Sequence, residues 1–430
     1  MTCVRRSCWL GIPALLVAGL LLNCVSRPIE KPVKQNQKED KQFFPQSLEK
    51  DIDILFVIDN SNSMQEEQQN LSKNFPQFIE ALRSPKLNNK IPNVHLGIVS
   101  TDMGAGNYSL PSCEVSGGDG GKLQVRATCP VLPDKPYISY IDGLTNVQKG
   151  PSDPIAKVKQ AFACMAEIGT GGCGFESTIE SARRALDPKL NVNPGFIRKD
   201  AFLAVVFITD EDDCSAAKAQ LFDPNQTQLN DPLGPLTSFR CFEFGVQCDC
   251  PGGKCKRTQV GVRKNCKPGF DWLHKVDNYV KFFKGLKPPG RVLMFAISGP
   301  IDKVEVGMNG NNPVLRPSCT TSMGKAVPAI RISSLIEGFG KQGHFNEGTD
   351  VTGTQSLPVN ICSQDYSPAL RLLGKVIVAS LGGQCIQSPP LTANGGLACQ
   401  AGDVIGPNGE KCQTSCLDRA ECIVTEIEDQ

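Results

Sequence analysis

The chain has 430 residues, and its 45 Lys and Arg nearly cancel 44 Asp and Glu, leaving a formal net charge of +1. That balance removes the electrostatic case for a nucleic-acid partner, whose phosphates call for a basic surface. Three scattered His residues (His95, His274 and His344) do not suit a His-based zinc centre, whereas 20 Cys point to a disulfide framework in an oxidising compartment.

In chain order, the first segment is a basic start at Arg5-Arg6, followed by an uncharged, largely apolar stretch from Ser7 to Ser26. Three readings fit this layout: a lipoprotein signal, an uncleaved membrane anchor and a plain secretory signal. The first is adopted, because Leu20-Leu21-Leu22-Asn23-Cys24 resembles a bacterial lipoprotein box. The resemblance implies a signal peptide over residues 1–24 with lipidation at Cys24, although Asn23 stands where a small residue is usual. Residues 25–50 are rich in Lys, Gln and Glu with Pro28 and Pro32, a composition expected of a flexible tether.

The folded domain is expected over residues 51–383. Asp53–Ile58 reads as a buried strand, and Gln65–Leu82 places Leu71, Phe75, Phe78, Ile79 and Leu82 at helical spacing. A strand over 94–100 is followed by a Gly-rich excursion, 103–135, and an edge strand at Tyr137–Ile141. Helices are expected over 154–167 and 176–186. Ala201–Ile208 is apolar without alternation, as in a strand covered on both faces. Residues 214–270 form a Cys-, Pro- and Gly-rich insertion expected to hold little regular structure. Helix Trp272–Leu286, strand Val292–Ile297, a loop insertion over 299–328, helix 331–338 and amphipathic helix Pro368–Ser380 close the domain. Residues 384–430 carry Pro389-Pro390 and five Cys, and read as a Cys-rich appendage. Strands and helices alternating in this way imply an α/β fold, doubly wound, with a mostly parallel sheet flanked by helices.

Two strands end in oxygen-rich loops. The first runs into Asp59-Asn60-Ser61-Asn62-Ser63, the second into Thr209-Asp210-Glu211-Asp212-Asp213. The carboxyl ends of parallel strands are where open α/β sheets hold ligands, and hard oxygen donors suit Mg²⁺ or Mn²⁺. Taken alone, Asp and Ser at a strand end serve as readily in turns and caps. Taken together, the two loops, their spacing and the helix pattern resemble the von Willebrand factor type A (integrin I-like) domain over about residues 51–383. The resemblance implies a metal-ion-dependent adhesion site for Mg²⁺ (or Mn²⁺ or Ca²⁺), with Asp59, Ser61, Ser63 and Asp210 as ligands. That family's remaining ligand is a Thr just before the third helix, and Cys173 falls at this position. Glu176, Ser177 or Thr178 is left to replace it, directly or through water, and Glu176 is adopted. Asp212 and Asp213 are expected as solvated loop acids, Asp102 as a cap or supporting residue, and His95 as a core residue.

Seventeen of the 20 Cys follow Cys24, an odd number that leaves one thiol free or paired between chains. Cys113–Cys129 and Cys164–Cys173 are expected as local pairs, the second holding the altered third loop in place. The spacing of Cys241, Cys248, Cys250, Cys255 and Cys266 mimics a zinc ribbon, but an oxidising compartment favours disulfides. Functionally, the resemblance implies a binding module whose ion keeps one position open for an acidic residue of a protein partner. The expected setting is the bacterial cell envelope, with the chain held to a membrane by the lipid on Cys24. The chain is not expected to be an enzyme. It contains no G-x-S-x-G, H-E-x-x-H or P-loop, and neither Ser61 nor Ser63 has an adjacent His to activate it. The alternatives are a structural envelope lipoprotein with a non-functional metal site and, behind it, a hydrolase or enzyme-associated subunit. The insertion 214–270 leaves directly from the metal face, and two readings of it stand side by side: a selector of partners and a structural cover for the sheet edge.

Overall fold

The computed structural model describes residues 40–45, 51–84, 89–251, 253–322, 324–340, 356–381 and 421–426. The chain divides into two units, Met1–Phe44 with Ile423–Gln430, and Pro45–Cys422. The first is marked by a two-stranded pairing of Asp40–Pro45 with Glu421–Glu426. The end of the expected tether is therefore a strand, consistent with the β preference of Phe43 and Phe44. The signal segment, the rest of the tether and the remainder of the appendage lie outside the described residues.

In the main unit the elements are β1 (Asp51–Ile58), α1 (Gln65–Ala81), β2 (Asn93–Ser100), β3 (Ile138–Ile141), β4 (Leu144–Thr145), α2 (Pro154–Met165), α3 (Thr178–Leu186) and β5 (Phe202–Ile208). There follow α4 (Phe239–Gly245), β6 (Val246–Asp249), β7 (Gly261–Pro268), α5 (Val276–Lys284), β8 (Val292–Ser298), β9 (Val304–Asn309) and β10 (Asn312–Leu315). The last are β11 (Cys319–Thr321), β12 (Gly324–Ala326), α6 (Ile330–Glu337), β13 (Ser356–Asn360) and α7 (Ser367–Leu381).

Seven strands form the main sheet in the order β13-β8-β5-β1-β2-β3-β4. The five from β13 to β2 run parallel, and β3 and β4 close one edge antiparallel. The chain starts at the centre in β1, moves outward through β2 to β3, then crosses to the other side of β1 with β5. This reversal is a topological switch point, where a crevice opens beyond the strand ends. Ile58 pairs with both Ser100 and Ile208, so three loops leave the sheet side by side.

Residues of β1 alternate between two cores. Ile52, Ile54, Phe56 and Ile58 pack with side chains of α1, α2 and α7, while Leu55 and Val57 pack with those of α3, α5 and α6. Burial on both faces explains why these strands read as unbroken apolar runs. At the centre of the first core, Phe75 stacks on Phe162 at 3.5 Å, and Phe56 meets Phe162 at 4.7 Å between centroids. Asp153 caps α2 by accepting from the Ala156 N–H at 2.9 Å, with Pro154 at the first helical position.

The two insertions 214–270 and 299–328 depart from expectation. They contain α4, β6, β7 and β9 to β12, and together build a second, four-stranded antiparallel sheet in the order β10-β9-β7-β6. β7 reads Gly-Val-Arg-Lys-Asn-Cys-Lys-Pro, without the apolar alternation that marks a half-buried strand, and its partner β9 lies across the intervening helix and core strand. β13 was not foreseen either. It contains Pro358, which an edge strand tolerates.

Six disulfides staple the loops. They are Cys113–Cys173, Cys129–Cys164, Cys214–Cys241, Cys248–Cys266, Cys250–Cys255 and Cys319–Cys362. The two expected local pairs are thus replaced by a nested arrangement. Cys129 sinks into the first core beside α2, which carries Cys164, whereas Cys113 and Cys173 share a separate cluster with Phe175. The zinc-ribbon-like spacing resolves into disulfides. Among the described residues, every Cys from Cys113 to Cys362 is paired.

Candidate metal centre

The Asp59 N–H donates to the Ile208 carbonyl at 2.9 Å, carrying the β1–β5 ladder one residue past the strand. Its side chain is fully buried and bonded on both oxygens. Oδ1 accepts from the Ser61 N–H at 2.8 Å and faces the Thr101 hydroxyl at 3.5 Å; Oδ2 accepts from the Thr209 hydroxyl at 2.7 Å. The first contact is an Asx turn, which folds the loop back and leaves the Ser61 and Ser63 Oγ atoms 3.3 Å apart. Gln68 of α1 locks the arrangement, its Nε2 donating to the Asp59 and Gly169 carbonyls at 2.8 and 2.9 Å. Asp210 sits at the end of β5, and the nearby Ser63 hydroxyl favours its charged form.

Around this pair lie more acids than the sequence motif accounts for. Glu176, Glu211 and Glu67 join Asp59 and Asp210, and each feels the charge of at least one of the others. Burial, reinforced by mutual repulsion, pushes Glu67 and Glu211 up to about 7. The same causes raise Glu176 and Asp210 well above the carboxylate range. Lys325 is the cation that moderates Glu211. Three carboxylate oxygens, Glu67 Oε2, Glu176 Oε1 and Asp210 Oδ1, are buried without a donor, as is Asn60 Oδ1. Buried anions without partners are costly, and shared protons or a bound cation relieve that cost. The donor set is all hard oxygen, which fits Mg²⁺ or Mn²⁺. Among the described residues no three His, Cys, Asp or Glu side chains form an ion cage by themselves, so the Ser61 and Ser63 hydroxyls would have to complete the set.

The structure brings Asp59, Ser61, Ser63, Asp210 and Glu176 to one crest. Cys173 supplies no ligand, being fully buried in its bond to Cys113. Thr178 Oγ1 is buried without a partner, and Ser177 Oγ lies 3.4 Å from the Cys214 carbonyl. The expectation that Asp212 and Asp213 are solvated is overturned. Asp212 caps α6 by accepting from the Arg331 and Ile332 N–H groups, at 2.9 and 3.2 Å. Asp213 is fully buried against the Arg331 guanidinium at 3.1 Å. Asp102 turns its own loop, accepting from the Gly104 N–H at 2.8 Å. His95 is a core residue, its Nδ1 2.8 Å from the Phe196 carbonyl.

Glu67, Glu211, Thr101 and Thr209 were missed. Glu67 was legible in principle, because it shares the helical phase of the buried Met64, Leu71 and Phe78, where an acid is out of place. The crest is also walled. A cleft of about 390 Å³ has Ser63, Glu176, Asp210 and Glu211 on one side. Phe239 and Phe242 of α4, the β9–β10 hairpin, Arg316 and Lys325 form the other.

No protein-family model and no curated protein matches the chain. Among solved structures it is similar to a von Willebrand factor type A protein from Catenulispora acidiphila, with a TM-score of 0.29 and 11% identity over 78% of this chain and 43% of that one. It is similar to the pilus adhesin SpaC from Lactobacillus rhamnosus GG, with a TM-score of 0.31 and 11% identity over 77% and 30%. For the pilus adhesin RrgA from Streptococcus pneumoniae the TM-score is 0.24, with 11% identity over 60% and 40%. The chain spans less than half the length of each. Its strand order and registers by themselves define the fold: α/β, doubly wound around a mostly parallel sheet, with disulfide-stapled loops.

Proposed function

We propose that the chain is a cell-envelope lipoprotein, anchored through Cys24, that binds a divalent cation at this crest and uses it to hold a protein partner. Asp59, Ser61, Ser63 and Asp210 would hold the ion, with Glu176 beside them. The ion, Mg²⁺ or Mn²⁺ in preference to Ca²⁺, supplies positive charge and an open position for an acidic residue of the partner. The observation that carries this reading is the set of buried carboxylate oxygens without donors, gathered around two hydroxyls at the switch point of the sheet. Six disulfides support an oxidising compartment. Among the described residues no helix is long and apolar enough to cross a membrane.

Retention on immobilised Glu-rich peptides tests the binding role. Mg²⁺ should promote retention, and chelator or Asp59→Ala should abolish it. Retention indifferent to chelator would reject the role. Cys24→Ser should release the protein from the membrane fraction. A second reading, a structural envelope lipoprotein with a silent metal site, draws on Cys173, whose sulfur is committed to a disulfide where the resembled family has a Thr ligand.

A further inference from the structure

A second cavity, of about 340 Å³, lies between the disulfide-rich insertion and the Asp271-Trp272 segment that follows it. Its wall combines four aromatic rings, among them Phe244 and Trp272, with four Lys or Arg side chains and two acids, Glu243 and Asp271. Arg263 is the informative residue. It is only 7% exposed, and burial alone, with no carboxylate beside it, lowers its guanidinium pKa. Nη1 points at the Cys250 sulfur, a weak acceptor, at 3.0 Å, and Nη2 donates to the Lys256 and Gln259 carbonyls. Nε is buried with no acceptor at all.

Arg240 makes the contrast. It is equally sequestered, but its donors reach five backbone carbonyls, those of Pro235, Leu221, Asp223, Gln226 and Gly234. It is a structural staple with its hydrogen bonds made. Arg257, also on the cavity wall, is likewise committed, to Glu243 at 2.9 Å and to neighbouring carbonyls. Arg263 alone among these three keeps a buried donor without an acceptor and a charge without a counter-ion, on a residue that lines the cavity. Burying a guanidinium that way is unfavourable unless an anion joins it.

We infer that this cavity is a binding site for a small organic anion, a carboxylate borne on an aromatic body. The carboxylate pairs with Arg263, with Lys256 at the rim, and the ring packs among Phe242, Phe244 and Trp272. The volume falls within the range of small-ligand sites, and the wall offers both aromatic rings and an excess of cations over acids. The site does not depend on the metal reading. It shares α4 with the metal cleft, since Phe239 and Phe242 line both.

The test uses the disulfide-intact chain and phenylacetate as probe, with phenylacetamide as its uncharged counterpart and sulfate as an anion without a ring. Binding is followed by calorimetry and by Trp272 emission. Saturable binding of phenylacetate, at least about tenfold tighter than either control, supports the site. Arg263→Gln should weaken it by about tenfold, whereas Lys264→Gln, on the same strand but outside the cavity, should leave it unchanged. Phe244→Ala tests the ring wall independently should Arg263→Gln fail to fold, and it too should weaken phenylacetate while leaving sulfate unaffected. Equal binding of phenylacetate and phenylacetamide, or no binding at millimolar probe, would overturn the proposal.

Discussion

Replacing Arg331 by Met should destabilise the main unit by about 4 kcal/mol. Arg331 opens α6 and is fully buried. Its Nε reaches Asp213 at 3.1 Å, Nη1 the Gly269 carbonyl at 3.0 Å, and Nη2 the His274 carbonyl at 2.7 Å. One side chain therefore joins α6, the insertion and the loop that carries Asp210. Met fills a similar volume, so the loss is electrostatic. Asp213, also fully buried, would keep only the Ile179 N–H at 2.9 Å and the Ser215 hydroxyl at 2.5 Å. Breaking a buried pair by removing one partner costs about 3–5 kcal/mol, whereas replacing both with neutral groups is often near neutral. Arg331→Met should thus lower the midpoint of thermal unfolding by roughly 8 °C. Adding Asp213→Asn, which keeps an acceptor for Ile179, should recover most of the loss. Urea titration of the wild type, both single variants and the double completes the cycle. A loss below about 1 kcal/mol for Arg331→Met, or strict additivity in the double variant, would refute the reasoning.

Burial holds the His95 imidazole down at about 4, below its ordinary value near 6.5. The unfolded chain then binds the extra proton first, so stability should fall by up to about 3 kcal/mol as pH drops from about 6.5 to about 4. His95→Gln should flatten that slope, and an unchanged slope in thermal midpoints against pH would exclude His95 as its source. At Gly172, a Cβ would stand 2.2 Å from Asn60 Oδ1, so Gly172→Ala should displace the first loop and weaken Mg²⁺ binding at least about tenfold by calorimetry, with little change in thermal midpoint. Replacing Cys113 and Cys173 together by Ser opens a bridge across 60 residues. Chain entropy puts that loss near 4 kcal/mol, read by urea unfolding, and the third loop should lose its hold on the crest, lowering metal affinity.

The central strands β1, β2, β5 and β8 were legible because burial on both faces leaves an unbroken apolar run, and α1 because its inner face repeats at helical spacing. Asp59, Ser61, Ser63 and Asp210 were legible because two such strands end in acids at the edge where α/β sheets gather their loops. Long-range partners were not. Asp213 reads as one more loop acid until Arg331, 118 residues on, meets it in the interior. The second sheet escaped because β7 is polar and finds β9 only after α5 and β8 have intervened. The nested disulfides escaped for the same reason, since nearness in sequence favours the pairs that the fold does not make.

The proposed function rests on a divalent ion held where Asp59, Ser61, Ser63 and Asp210 meet beyond β1 and β5. Calorimetric titration of Mg²⁺ and Mn²⁺ into the disulfide-intact chain, beside Asp59→Ala and Asp210→Ala, tests it most directly. One saturable binding event is expected, which both substitutions abolish without unfolding the domain. Absence of binding at millimolar metal, or binding that survives both substitutions, would contradict it.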